Sequence, residues 1–342
     1  MILVTGGTGL VGSHLLFDLV SSGKKVRALK RKSSNFDNIN KVFGYYSDDV
    51  EKLFEKIEWV DGDVLDIFSL EDAMKDVSEI YHCAAIVSFD PGDEDFLMKV
   101  NVEGCANIVN IALEKKIKKL CYVSSIAALG RAESNGFVDE KTHWMSSNKK
   151  SHYSISKYGG EREIWRGIEE GLDAVIVNPS IILGPGNWNS GSSRFFSTIW
   201  KGLSFYTKGV NGFVDVRDVV KAMVQLMESK IKNERFILNS ENISYQKLLN
   251  LISKYLNKKS PRIHAGKFLS AITWREEKIR SFFTGSKPFI TKETAHTANC
   301  NYYYSTKKIE KMLNFKFTPI EKTIKDNAAL FLKDILKEKP IK

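Results

Sequence analysis

The sequence predicts an α/β protein, with a doubly wound parallel sheet followed by a smaller C-terminal α/β lobe. Three observations lead to this prediction. An apolar run at residues 2–4 passes through closely spaced glycines into an apolar helical stretch, short apolar runs then alternate with helical patterns, and the alternation stops after Pro179. Strands that alternate with helices form a parallel sheet covered by helices on both faces. Right-handed crossovers make such a sheet doubly wound.

Each predicted strand is a short apolar run, and each predicted helix has apolar residues at helical spacing. The predicted strands of the first half are Ile2–Val4, Val26–Leu29, Ile57–Val60, Ile80–Ala84, Leu120–Ser124 and Ala174–Val177. The helices predicted between them are Leu10–Ser21, Asp49–Phe54, Leu70–Lys75, Val100–Lys115 and Ser154–Glu170. Ligands of such sheets bind at the carboxyl ends of the strands, near the point where the strand order reverses.

The second half of the chain has a different pattern. Residues 184–212 are rich in Gly, Ser, Asn and aromatic residues, which is typical of a pocket wall built from loops. Further elements are predicted at Phe213–Glu228 (a strand end that runs into a helix), Phe236–Asn239 and Tyr245–Leu256. We therefore predict a first domain over 1–180 and a smaller lobe over most of 181–342, with 213–228 packed back onto the first domain.

One segment of the lobe allows several interpretations. Residues 267–283 carry apolar side chains at helical spacing among charged ones. The segment could form a lid, a dimer helix or a helix on a membrane surface. A helix packed on its own lobe is the interpretation we favour.

The composition argues against a nucleic-acid partner. The formal charge is +10, but the lysines are spread along the chain, with mild clusters at Lys30–Lys32, Lys115–Lys119 and the C-terminal tail. A nucleic-acid surface would combine basic and exposed aromatic residues on one face, and the sequence has no such patch. The positive charge can instead steer an anionic cofactor or substrate.

Other patterns predict a cytoplasmic protein without a membrane span or a metal. The glycine loop begins at Gly6, which leaves no room for a signal or transit peptide in this sequence. No run of eighteen uninterrupted apolar residues follows, so we expect no membrane span. The four cysteines have no metal-ligand spacing. Cys83 and Cys121 lie in apolar strands and are expected to be buried thiols, which suits a reducing compartment.

The glycine loop is the first candidate functional site. A strand that turns through glycines into a helix places backbone N–H groups where a pyrophosphate can bind. This sequence has the strand before and the helix after, which is the context that the motif requires. It predicts that the first domain is a dinucleotide-binding Rossmann domain. The loop residues predicted to hold the cofactor are Thr5, Gly6, Thr8, Gly9, Leu10 and Gly12.

Three further residues form the candidate catalytic set. Tyr153 and Lys157 are four apart on a predicted helix, so they share a face. A cation one turn away should lower the pKa of the phenol, which could then exchange a proton with a carbonyl or hydroxyl oxygen. Ser125 follows the fifth predicted strand, where its hydroxyl could hydrogen-bond the substrate oxygen. Of Ser124 and Ser125, we expect one to satisfy the backbone at the strand end and assign the chemistry to Ser125.

The glycine loop, Ser125 and Tyr153-x-x-x-Lys157 together resemble the extended short-chain dehydrogenase/reductase superfamily, and the resemblance covers nearly the whole chain. It implies a Rossmann domain, a C-terminal substrate lobe, and hydride transfer at a sugar or alcohol carbon. It also implies that Lys157 binds the ribose of the cofactor. Further cofactor contacts implied by the resemblance are Asp63, Val64, Ala84, Ala85, Asn101, Ser124, Asn178, Pro179 and Ser180. For Asn101, a structural role at a helix kink is the interpretation we favour.

The end of the second strand bears on the choice of cofactor. An acidic residue there would bind the ribose hydroxyls of NAD, but the sequence continues Lys30-Arg31-Lys32. Arginine matches the geometry of a phosphate. The resemblance at Arg31 is to dihydroflavonol and cinnamoyl reductases, in which an arginine holds the 2′-phosphate. We therefore favour NADP(H), with Arg31 and Lys32 as its ligands; NAD(H) remains an alternative.

Three functions fit these residues. We favour an NADP(H)-dependent reductase that acts on a ketone or aldehyde of a small organic molecule; the segment 81–90 also resembles hydroxysteroid dehydrogenase-like members. A nucleotide-sugar epimerase with tightly bound NAD is the alternative, but the arginine that grips the diphosphate in such enzymes is Asn211 here. A cofactor sensor without chemistry is the third. Ser125-Ile126-Ala127 lacks the carboxylates of sugar dehydratases.

The predicted substrate contacts lie around the same strand ends, and a homodimer is compatible with the sequence. Aromatic residues in this part of the chain suit an apolar or ring-containing substrate, although each could equally belong to the core of the lobe. We expect His82 to be packed and not catalytic. The predicted substrate residues are Ser88, Phe89, Ser125, Tyr153 and Ile182, with Trp188, Phe195 and Tyr302–Tyr304 as further pocket candidates.

Overall fold

A computed structural model describes residues 1–131, 136–145, 151–266 and 296–338; the helix predicted over 267–283 lies outside these ranges. The strands are β1 Ile2–Thr5, β2 Val26–Lys30, β3 Ile57–Asp61, β4 Glu79–His82, β5 Lys119–Val123, β6 Phe137–Val138, β7 Ala174–Pro179, β8 Ile181–Leu183, β9 Phe205–Tyr206, β10 Val210–Asp215, β11 Glu234–Leu238, β12 Glu241–Ser244, β13 Ile263–His264 and β14 Tyr303–Tyr304. The α-helices are α1 Leu10–Ser21, α2 Asp37–Phe43, α3 Val50–Phe54, α4 Ile67–Ala73, α5 Glu94–Met98, α6 Gly104–Glu114, α7 His152–Glu169, α8 Arg194–Trp200, α9 Val216–Glu228, α10 Tyr245–Tyr255, α11 Lys307–Leu313 and α12 Ile320–Glu338.

The main sheet has seven parallel strands in the order β11-β7-β5-β4-β1-β2-β3. Strand β1 pairs with β2 on one side and with β4 on the other, so the strand order reverses at β1. The doubly wound parallel sheet is confirmed. Its ligand crevice should open at the carboxyl ends of β1 and β4, next to the glycine loop that follows Thr5.

Both faces of the sheet are covered by apolar side chains. On one face Leu15 and Leu19 of α1 pack with Met223 and Leu226 of α9 against the sheet. On the other face α4, α6 and α7 contribute a second apolar cluster. Burial of both faces explains why the central strands are almost continuously apolar.

The second half of the chain also completes the main sheet. Strand β11 pairs with β7 in parallel, and α9 lies on α1. Lys119 at the start of β5 donates to the backbone carbonyls of Leu226, Met227 and Ser229, at 2.6, 3.3 and 2.9 Å. A cation at these carbonyls stabilises the carboxyl end of α9. Residues 216–238, which follow the predicted domain boundary at residue 180, thus belong to the main sheet and its helical layer. The boundary itself remains a prediction.

The remaining lobe has its own core. A three-stranded sheet in the order β12-β10-β8 packs with α8, α10 and α12. Trp188 belongs to this core, because its ring lies 5.5 Å from that of Phe196 and 5.3 Å from that of Phe331. Its indole N–H donates to Asp334 at 2.7 Å. Trp188 therefore serves the packing of the lobe, the second of the two roles considered for it.

The helix predicted over Val100–Lys115 is interrupted. A π-helical segment, Lys99–Glu103, joins α5 to α6. Among the described residues, Glu94–Glu114 is the one helical stretch with the length and composition of a membrane span, and half of it is buried inside the protein. It packs against α4 and α7, as the core helix of a folded domain does.

Candidate active site

The glycine loop closes tightly on its own backbone. Gly6 has φ +69°, a conformation that glycine adopts without steric cost, and a Cβ there would lie 2.5 Å from the amide nitrogen of Ala84. A Cβ on Gly12 would lie 2.2 Å from the carbonyl oxygen of Gly6. The loop therefore brings the start of α1 against the end of β1 and the 83–85 segment.

The start of α1 can bind an anion. The N-cap residue Gly9 makes no side-chain capping bond, so the first-turn amides have no side-chain acceptor. Asn38 holds the loop from outside by donating to the carbonyl of Thr8 at 3.1 Å. The helix dipole and these amides suit a phosphate. The loop therefore fits the pyrophosphate of a dinucleotide.

The end of β2 offers two cations for a further phosphate. Lys30 is bound by Asp61 and lies 5.9 Å from the ring of Phe36. Arg31 and Lys32 are exposed. The backbone N–H of Arg31 donates to Ser34 Oγ at 3.2 Å, which shapes the turn after the strand.

The turn after β3 carries two of the predicted cofactor residues, Asp63 and Val64. Asp63 Oδ1 accepts a hydrogen bond from the backbone of Leu65 at 3.0 Å. Val64 is buried and close to α6, because a Cβ on Gly104 would meet its side chain at 2.8 Å. The turn thus places Asp63, which is half-buried, at the carboxyl edge of the sheet.

The Thr5 side chain contacts its own protein and not the crevice. Its hydroxyl lies 2.7 Å from His82 Nδ1 and accepts the backbone N–H of Ala84 at 3.2 Å. His82 is buried, and its Nε2 lies 3.2 Å from Cys105 Sγ. Burial lowers the pKa of His82 to about 3. The Thr5 side chain and His82 therefore fix the 83–85 segment against the glycine loop, as expected for a packed histidine.

Two other predicted ligands also have partners within the protein. Asn101 accepts from the backbone N–H of Ile86 at 2.8 Å and donates to its carbonyl at 2.9 Å and to Ser156 at 3.0 Å. It therefore orders the strand-four loop and the π segment, as favoured from the sequence. Ser88 is buried and donates to Asp93 at 2.5 Å. This local turn bond uses the proton of the Ser88 hydroxyl, and the role of Ser88 as a substrate contact stays a prediction.

The two serines after β5 have different tasks. Ser124 is buried and donates its hydroxyl proton to Glu161 Oε2 at 2.6 Å, so it could meet the cofactor only as an acceptor, and this contact stays a prediction. Ser125 Oγ accepts the backbone N–H of Ala127 at 3.1 Å and caps a short 3₁₀ turn. Ser125 also hydrogen-bonds Tyr153. Ser125 therefore both satisfies the backbone at the strand end and contacts Tyr153.

Tyr153 lies at the start of α7, where Ser151 caps the helix by accepting the backbone N–H of Ser154 at 2.9 Å. Its ring lies 5.3 Å from that of Phe89, edge to face. Loss of solvation raises the pKa of Tyr153, and the hydrogen bond with Ser125 acts in the opposite direction. The sequence-based expectation of a lowered pKa was therefore wrong for the protein alone, because burial outweighs the hydrogen bond with Ser125.

Lys157 is buried one turn later on the same helix. Its ammonium donates to the carbonyl of Val123 at 2.8 Å and to the hydroxyl of Tyr122 at 3.2 Å. Burial lowers the pKa of Lys157 to about 8. An ammonium has three donors, and these two bonds leave one for another group. Ser125, Tyr153 and Lys157 thus meet at the carboxyl end of β5.

The end of β7 carries two polar atoms that lack a partner among the described residues. They are Asn178 Oδ1 and Ser180 Oγ, both fully buried. Such atoms cost free energy unless a ligand or water supplies the partner. They fit a cofactor or substrate bound beside Ser125. Ile182, two residues further, is half-buried against the main core.

Sequence reasoning missed Tyr122 and Arg235. Tyr122 lies in an apolar strand and gave no signal beyond that of a core residue. Arg235 is 74 residues from Glu161, whose carboxylate it binds at 3.0 Å. One feature of the sequence could have identified Glu161 as a site residue. It follows Lys157 by four residues and therefore lies on the same face of the helix.

A Rossmann sheet with a glycine loop and a serine, tyrosine and lysine at the end of β5 defines an NAD(P)-dependent enzyme of the extended short-chain dehydrogenase/reductase type. The model of the NAD dependent epimerase/dehydratase family matches residues 2–238. The chain belongs to this family.

Relatives of the chain include reductases. A Synechocystis protein that carries the provisional name dihydroflavonol 4-reductase is 30% identical over 94% of this chain and 92% of its own length. Sterol demethylase protein B of Methylococcus capsulatus is 30% identical over 76% of each chain. Cinnamoyl-CoA reductase 1 of Petunia hybrida is 26% identical over 75% of this chain and 77% of its own.

Solved structures share the fold over almost the whole chain. The structure of gox2253 matches with a TM-score of 0.80 and 29% identity, over 98% of both chains. UDP-glucose 4-epimerase of Thermotoga maritima matches with a TM-score of 0.77 and 20% identity, over 98% of this chain and 99% of its own.

Proposed function

We propose that this protein is an NADP(H)-dependent reductase of a ketone or aldehyde group in a small organic molecule. One observation carries the proposal: the phenol of Tyr153, the hydroxyl of Ser125 and the buried ammonium of Lys157 meet at the carboxyl end of β5. A phenol that stays protonated at neutral pH is suited to giving a proton, which carbonyl reduction requires.

The other roles in carbonyl reduction are assigned to residues of the chain. NADPH, when bound, supplies the hydride. Ser125 orients the carbonyl oxygen, and Tyr153 gives its proton to that oxygen as negative charge develops. Ser125 and the ammonium of Lys157 favour the phenolate that remains. The glycine loop would hold the pyrophosphate, Arg31 and Lys32 the 2′-phosphate, and Lys157 the ribose hydroxyls.

The substrate side favours an apolar or ring-containing carbonyl compound. The Phe89 ring contacts Tyr153 edge to face, so an aromatic surface borders the proton donor. The names of the relatives point to dihydroflavonol, cinnamoyl-CoA and sterol compounds for those proteins. The direct test is a fluorescence titration of the purified protein with NADPH and NADH, followed by a panel of ring-containing ketones and aldehydes monitored at the nicotinamide absorbance. Absence of cofactor binding, or of any carbonyl turnover, would contradict the proposal.

The epimerase alternative has less support from the lobe. Asn211 is buried in β10 and donates to the hydroxyl of Tyr245 at 3.3 Å. A neutral side chain with this partner gives no cation to a nucleotide diphosphate. NAD that survives purification, together with conversion of a nucleotide sugar without net redox change, would favour the epimerase instead.

Replacing Arg31 with alanine should discriminate between the two cofactors. We expect the Kd of NADPH to rise about 10- to 100-fold, the equivalent of about 1.4–2.8 kcal/mol, because a guanidinium that binds phosphate is lost. The Kd of NADH should stay within about threefold. Lys25→Ala, which removes an exposed cation at the opposite end of β2, is the control. Equal weakening of both cofactors would refute the phosphate role of Arg31.

The affinity for the cofactor should also depend on pH through Lys157. The ammonium is charged below its pKa of about 8 and becomes a neutral amine above it. We therefore expect NADPH to bind more weakly as the pH rises through 8, because the amine is a poorer donor to the ribose hydroxyls. Titrations at several pH values with wild type and Lys157→Met test this. A wild-type affinity that stays flat across pH 8, or the same decline in the variant, would contradict it.

A further inference from the structure

The carboxylate of Glu161 lies directly behind the catalytic serine turn. It is buried, with 2% of its surface exposed. Oε2 accepts hydrogen bonds from Ser124 Oγ at 2.6 Å and from Asn178 Nδ2 at 2.7 Å. Oε1 accepts from Arg235 at 3.0 Å and from the indole of Trp165 at 3.4 Å. Four donors, from α7, β7, β11 and the residue after β5, therefore converge on one side chain.

Arg235 makes this buried charge tolerable and fixes it in place. Its guanidinium also donates twice to the carbonyl of Glu140, at 2.9 and 2.6 Å. A buried ion pair gives little net stability compared with apolar packing, since both charges must leave water. Its geometry, in contrast, is constrained by three hydrogen bonds of the guanidinium. The pair is therefore better suited to orienting its neighbours than to holding the fold together.

Asn178 is the neighbour whose side-chain orientation Glu161 can determine. Its Nδ2 donates both to Glu161 Oε2 and to the carbonyl of Ser125 at 3.1 Å. A flipped amide would place Oδ1 against both of these oxygen acceptors, so the network allows one orientation only. In that orientation Oδ1 is buried and has no partner among the described residues.

We propose that Glu161 is a positioning residue that acts through Asn178. It holds the amide so that Oδ1 is presented as a hydrogen-bond acceptor for a donor of the bound nicotinamide dinucleotide. The location fits this role, since Asn178 lies near the carboxyl end of β7 and donates to the carbonyl of Ser125, at the edge of the sheet where such ligands bind. The inference rests on the proposed function only for the identity of the ligand.

The test is a double-mutant cycle measured by cofactor binding. Glu161→Gln removes the charge and gives the side chain an amide of its own, so the carbonyl of Ser125 is the one fixed acceptor left to orient the Asn178 amide. Asn178→Ala removes the acceptor. We expect each variant to raise the Kd of NADPH about 10-fold, and the double variant to bind within about threefold of Asn178→Ala alone. Glu163→Gln, on the same helix at a surface ion pair with Arg166, is the matched control and should bind as wild type.

A purely structural role would give a different result. In that case the effects of Glu161→Gln and Asn178→Ala would add in the double variant, which would overturn the proposal. An unchanged Kd in Asn178→Ala would overturn it as well. If Glu161→Gln does not fold, as judged by its thermal melt, Arg235→Lys replaces it in the same cycle with the same criterion. Because carbonyl turnover is not measured, a failure of the reductase proposal would be seen separately, in the wild-type substrate panel.

Discussion

Replacement of Tyr153 with phenylalanine is expected to lower kcat by about 10²- to 10⁴-fold, the range that general acid catalysis contributes. The phenol hydrogen-bonds Ser125, and burial raises its pKa, so it carries the proton that the developing alkoxide needs. Phenylalanine keeps the ring and its edge-to-face contact with Phe89. The pocket should therefore keep its shape while the proton donor is lost.

Two measurements separate this loss from a general defect. The Kd of NADPH should remain within about threefold of the wild-type value, because the Tyr153 phenol is assigned to the substrate oxygen and not to the cofactor. Tyr158→Phe is the matched control, since Tyr158 lies on the same helix but stacks on Trp144 with the ring centroids 4.3 Å apart. An equal loss of turnover and of cofactor affinity in Tyr153→Phe would show that the residue is structural.

The parts of the site that the sequence predicted are those with local signals. Gly6, Gly9 and Gly12 form one turn between adjacent elements, and Tyr153 and Lys157 are one turn apart on one helix. Ser125 follows an apolar strand whose carboxyl end is identified by the alternation of elements. In each case the spacing along the chain decides the spacing in the structure.

The parts that it could not predict depend on contacts between distant segments. Glu161 meets Arg235 across 74 residues. The direction of the pKa shift of Tyr153 follows from its burial, which is a property of the packed structure. Likewise, the helix α12 was not predicted, and its Asp334 accepts the hydroxyl of Tyr45 at 2.5 Å and the ammonium of Lys41 at 3.0 Å. Spacing in the sequence contains no measure of such pairings.

Replacement of Gly12 with alanine is expected to abolish tight cofactor binding, with the Kd of NADPH at least about 100-fold higher. The new methyl group would lie 2.2 Å from the carbonyl oxygen of Gly6, 2.8 Å from its carbonyl carbon and 2.8 Å from Gly7 Cα. All three are backbone atoms, so no side chain can rotate to make room. The loop must open, and the first-turn amides of α1 then lose their arrangement around the pyrophosphate. Overpacking of this kind also costs about 1–3 kcal/mol of stability.

Two control variants make this prediction specific to the loop. Gly44→Ala adds a methyl group in ordinary backbone geometry, with its nearest atom, the carbonyl oxygen of Asn40, at 3.3 Å. It should leave the Kd of NADPH unchanged and report the general effect of alanine on the unfolded chain. In Gly9→Ala the new methyl group would contact only the carbonyl oxygen of Gly6, at 3.3 Å, so the loop can keep its shape. Any loss of NADPH affinity in this variant then measures how closely the cofactor approaches residue 9. If Gly12→Ala melts at the wild-type temperature and still binds NADPH within threefold, the glycine loop does not hold the pyrophosphate, because its close packing is the physical basis of the binding site.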